Sequence, residues 1–122
     1  MPGRLTGKGA GPAIVASDVV LGAGWGGTAT VAVTAGSNDQ RGEIVVTASA
    51  TTPAQATSTV TLTFKRKFAA TPFAVVVQSA NDEAAVVQPP RDIVVTETTL
   101  VFKSSVVPVA TKIYKYQYIV LG

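Results

Sequence analysis

Few of the side chains that usually do chemistry are present. The chain of 122 residues carries seven carboxylates, Asp18, Asp39, Glu43, Asp82, Glu83, Asp92 and Glu97, and ten Lys and Arg, with no His and no Cys. That composition excludes an imidazole base, a thiol nucleophile, a Ser-His-Asp triad, a Cys/His zinc site and a disulfide framework. Glycoside hydrolysis requires two carboxyl groups flanking one bond, and the local sequence sets no two acids up as such a pair. Isolated acids beside turns serve as caps and solvated edges, so the chain is expected not to be an enzyme and to use no cofactor. Asn38-Asp39 and Asn81-Asp82 offer the hard oxygens that Ca²⁺ selects, but not the several acidic ligands of a dedicated calcium loop. Asn and Asp also hydrogen-bond their own backbone in turns, and that is the reading adopted for both sites, with no metal expected.

Three further groups invite a binding role. Lys65-Arg66-Lys67 is the only basic run, and the net charge is +3. Successive side chains of a strand point to opposite faces, so these three cations do not line one surface within a strand. No nucleic-acid module with interleaved aromatics accompanies them, and no specific nucleic-acid partner is expected. Tyr114, Tyr116 and Tyr118 alternate along one face of the last strand, as a platform that grips sugars or as a layer of buried rings. Trp25, among the glycines of Gly22 to Gly27, is a plug over the core or an exposed anchor in an interface. Trp25, Tyr114, Tyr116 and Tyr118 are therefore the candidates for an oligomer interface.

These groups have to be positioned by strands. Val and Thr supply 20 and 16 residues, a β-branched load that favours pleated surfaces over helices. The stretches Thr28 to Thr34 and Glu43 to Ala50 alternate apolar and polar residues about the turn formers Gly36 to Gly42, the pattern of a hairpin. Thr57 to Lys65 has the cleanest period of two, with Val60, Leu62 and Phe64 inward. Phe73 to Ser79, a nearly continuous apolar run, reads as a central strand. Ala84 to Gln88 reads as a short strand that Pro89-Pro90 stops at a sheet edge. Ile93 to Glu97 and Thr99 to Lys103 suit a tight hairpin about Thr98, and Ile113 to Leu121 closes the series. The fold class expected is all-β: a single β-sandwich or jelly-roll-like barrel of about eight or nine short strands.

The chain divides at its start. Residues 1–12 hold four Gly, two Pro, Arg4 and Lys8, with Leu5 as the one substantial hydrophobe, too little apolar surface to settle on its own domain. They are expected to form an extended arm held by another subunit, ahead of a β-sandwich over 13–122. Hydrophobic residues make up 47% of the chain and charged ones only 14%, which excludes intrinsic disorder and leaves a surface suited to like subunits. No apolar run is long enough for a membrane span, and the first residues lack a signal-peptide core. The expectation is synthesis in the cytoplasm with no membrane partner.

The segment Gly-Ser-Asn-Asp-Gln-Arg-Gly-Glu-Ile at Gly36 to Ile44, continued by Val45-Val46-Thr47, resembles a turn-and-strand pattern of small β-domains in virion proteins of tailed bacteriophages. The likeness continues through Thr59 to Phe64, Pro72 to Val76 and the Asn81-Asp82 turn, and spans residues 24 to 122. It implies a structural role in the virion, among head-decoration proteins, head fibres and tail-fibre domains, and carries over no catalytic residue. With a short arm and no stalk or coiled coil in the sequence, the expectation is a homotrimeric capsid decoration (cement) protein. It would bind the outer face of the major capsid protein shell, be located at the capsid surface, and use Arg4, Leu5 and Lys8 as the capsid-binding arm. The alternative is a receptor- or carbohydrate-binding domain of a tail or head fibre, with a surface glycan as its ligand.

Overall fold

The computed structural model describes residues 11–49, 54–81 and 89–122. Within them the chain forms eight strands: β1 Val19–Leu21, β2 Thr30–Val33, β3 Arg41–Thr47, β4 Thr59–Thr63, β5 Phe73–Asn81, β6 Arg91–Val95, β7 Thr99–Lys103 and β8 Ile113–Leu121. The described helical pieces are single 3-10 turns at Ala16–Asp18, Ala23–Trp25 and Gln55–Thr57, and no described helix is long and apolar enough to cross a membrane. The expected all-β class is found.

The strands form two antiparallel sheets of four, ordered β1-β4-β7-β6 and β2-β3-β8-β5. They remain separate sheets with edges, so the arrangement is sandwich-like rather than a closed barrel. Across the sandwich, β1 lies near β2 and β6 near β5. Both expected hairpins occur. Val33 pairs with Ile44 in β2–β3, and Val95 pairs with Leu100 in β6–β7, where Thr96 N–H closes the turn on Thr99 O at 2.8 Å.

The core is the set of inward positions that period-two alternation dictates. Val60, Leu62 and Phe64 are buried as the pattern requires, facing Ile44, Val46, Tyr114, Tyr116, Tyr118 and Val120 from the second sheet. Trp25 sits between the layers, its ring 5.3 Å from Tyr114 and 6.4 Å from Tyr116 in edge-on geometry, and its indole N–H reaches Thr59 O at 3.1 Å. Phe102 meets Tyr116 at 4.9 Å. Edge-to-face rings bury large apolar areas and leave their polar tips for hydrogen bonds. The Tyr118 hydroxyl donates to Asn38 O at 2.6 Å, and the Tyr114 hydroxyl accepts from Val109 N–H at 2.7 Å.

Two expectations are corrected. The run Phe73 to Ser79 is not a central strand among the described residues: there β5 is the outermost strand of its sheet and pairs only with β8. Its side chains alternate, Val76 and Gln78 buried, Phe73, Val75 and Val77 exposed. Second, Trp25, Tyr114, Tyr116 and Tyr118 are at most 2% exposed. Within a single chain they already pack on one another, which leaves these rings no surface to offer a neighbouring subunit. The strand proposed at Ala84 to Gln88 lies outside the described residues.

Candidate functional site

The turn between β2 and β3 shows what its polar residues are for. Asn38 Oδ1 accepts from Gln40 N–H at 2.8 Å and Arg41 N–H at 3.1 Å, the bonds of an Asx turn. Asp39 reaches farther, accepting from Lys65 N–H at 2.7 Å and Arg66 N–H at 2.9 Å, and so fastens this turn to the end of β4 in the opposite sheet. Ser37 Oγ donates to Thr34 O and accepts from Glu43 N–H. Gly42 stands opposite Tyr118 in the register, and a Cβ there would fall 2.6 Å from the Tyr118 hydroxyl and 2.5 Å from Ser37 Oγ. The absence of a side chain lets the Tyr118 ring reach Asn38. Burial, then the carboxylates of Asp39 and Asp18, hold the Tyr118 phenol well above its ordinary value of 10.0.

The remaining charges are spread out. Lys65 pairs with Asp18 at 3.0 Å, Lys67 with Glu97 at 3.4 Å and Lys103 with Asp92 at 3.4 Å. The basic run is thus divided between separate carboxylates. Burial raises the Asp18 carboxyl, but the Val15 N–H and Lys65 outweigh it and leave the group below its ordinary value. Among the described residues no three acids gather where a metal ion could be held.

Among the described residues, the exposed hydrophobics gather most densely on the outer face of the second sheet, on β5 and β8. Phe73 is 80% exposed, Val75 57%, Val77 48%, Ile119 50% and Leu121 54%. The register sets Phe73 beside Leu121, then Val75, Ile119 and Arg41 in one row, then Val77, Gln117 and Glu43 in the next. Apolar side chains therefore form a strip along the two strands, with Arg41 and Glu43 flanking it on β3. Between the strip and the β2–β3 turn lies a shallow groove of about 500 Å³, lined by Thr34, Ser37, Arg41, Glu43, Gln117 and Ile119 among others. Glu43 is held in it by the Thr34 hydroxyl at 2.6 Å and by Gln117 Nε2 at 3.4 Å.

Of the residues singled out from sequence, the structure brings together Trp25, Tyr114 and Tyr116, inside the core, with Tyr118 farther along the same face of β8. Arg4, Leu5 and Lys8 lie outside the described residues. The strip was half legible. Lys115 and Gln117 mark the outward phase of β8, and Ile119 and Leu121 follow in step. In β5 no charge marks either phase, so Phe73, Val75 and Val77 could not be told from core residues. Compared with known proteins, the chain matches no family model, no curated protein and no solved structure.

Proposed function

We propose that this chain is a non-catalytic structural subunit of a tailed-phage virion, a capsid decoration protein that binds the outer face of the major capsid protein shell and stabilises it. The observation that carries a binding rather than a chemical role is the strip of Phe73, Val75, Val77, Ile119 and Leu121: a broad apolar contact surface with no converging acid, base or nucleophile upon it. Exposed apolar patches of this extent mark interaction sites. The virion assignment adds the likeness of Gly36 to Thr47, whose turn residues are engaged in turn geometry and whose strand is β3.

In this reading residues 1–12 form the extended arm, with Leu5 as apolar anchor and Arg4 and Lys8 as its charges, laid along the capsid protein as an added strand. Several subunits clamping one shell multiply weak contacts through effective concentration. The test is a capsid-binding assay with a chain lacking residues 1–12. Binding is expected to vanish while circular dichroism still reports a folded β-domain, and full occupancy by the shortened chain overturns the proposal.

The groove between Thr34 and Gln117 favours one alternative, a receptor- or carbohydrate-binding domain of a fibre, because Arg41, Glu43 and Gln117 are the planar polar groups that hold sugar hydroxyls. A glycan array separates the two: specific glycan binding without capsid affinity selects the fibre domain.

A further inference from the structure

We infer that the outer face of the β2-β3-β8-β5 sheet is a self-association surface, on which a second copy of this chain packs face to face about a two-fold axis. This goes beyond the decoration role and does not depend on it: the strip is given to a second copy, and the capsid contact in that role is left to residues 1–12. The argument starts from the area. Five exposed apolar side chains on β5 and β8 present on the order of 500 Å² of apolar surface, near the upper limit for a typical monomer. With the flanking Arg41, Glu43, Lys115 and Gln117 the face approaches the roughly 800 Å² per partner of a stable interface.

The order of charges then selects the occupant. Arg41 and Glu43 stand on the same strand in adjacent outward rows, the first with Ile119 and Val75, the second with Gln117 and Val77. Place a two-fold axis across the strands, midway between these rows. Arg41 of each copy then lies over Glu43 of the other, so two opposite-charge contacts form at once, and each Val75 lies over a Val77. Leu121 falls over the aliphatic stem of Lys115, whose ammonium is free to reach the rim. Outward rows are about 7 Å apart and facing sheets about 10 Å apart, distances that Arg and Glu side chains span together. An isologous interface demands this kind of self-complementarity.

Sedimentation velocity of the full chain over a range of concentrations tests the inference without any capsid, so failure of the decoration role leaves the result intact. A species of twice 12.5 kDa is expected. Arg41→Glu and Glu43→Arg should each weaken pairing by at least about tenfold, since each sets like charges opposite one another. The double variant Arg41→Glu/Glu43→Arg should restore it to within a few-fold. Ile119→Lys, at an exposed position, should give a folded monomer and serves if the charge variants do not fold. A wild-type monomer at all concentrations, the trimer expected with the virion resemblance, or an Ile119→Lys chain that pairs normally overturns the inference, as does failure of a folded double variant to recover.

Discussion

The two faces of β8 make opposite use of the same nine residues. Inward, Tyr114, Tyr116, Tyr118 and Val120 are at most 2% exposed and share their surroundings with Trp25 and Phe102. Outward, Ile119 and Leu121 are about half exposed and stand with Phe73, Val75 and Val77 on a surface that nothing in the chain's described residues covers. Both faces carry apolar side chains, but only the inner one is covered by the described residues. Aromatic rings with satisfied hydroxyls build the inner contact, while Phe73 and four aliphatic side chains, with charges at the flank, make up the outer face.

The largest break in this contrast should come from truncating the inner face. Trp25→Ala removes a fully buried ring from between the sheets and is expected to cost about 3–5 kcal/mol in denaturant unfolding. Ile119→Ser on the outer face should stay within about 0.5 kcal/mol for the single chain. Comparable losses at the two positions would erase the distinction. Tyr118→Phe is a finer probe. It removes the hydrogen bond to Asn38 O and should cost about 1 kcal/mol at neutral pH. The raised phenol stays protonated in the fold while the unfolded chain ionises above 10.0, so wild-type stability should fall as pH rises through that value. The Phe variant should show a shallower alkaline decline, read by unfolding at pH 9 and pH 11.

The smallest effect is expected at Asp18, which has no part in either face. Its lowered carboxyl contributes stability above 3.8 that is lost as pH falls below it. Asp18→Asn should cost under about 1 kcal/mol at pH 7, as exposed ion pairs do, with no difference between variant and wild type once the carboxyl is protonated. A loss as large as that of Trp25→Ala would mean that the Asp18–Lys65 link supports the core.

What could be read along the chain was what depends on near neighbours. The turn at Gly36 to Gly42, the hairpins β2–β3 and β6–β7, the inward set Val60, Leu62 and Phe64, and the common face of the three tyrosines all follow from turn chemistry and a period of two, which are local properties. The tertiary structure alone decided that β5 lies beyond β8 at the end of the described sheet, that Trp25 lies between the layers, that Asp39 holds the backbone of Lys65 and Arg66 across the sandwich, and that Phe73, Val75 and Val77 face outward. Those outcomes depend on which strands become neighbours, and a strand's alternation separates its two faces without saying which of them meets the opposite sheet.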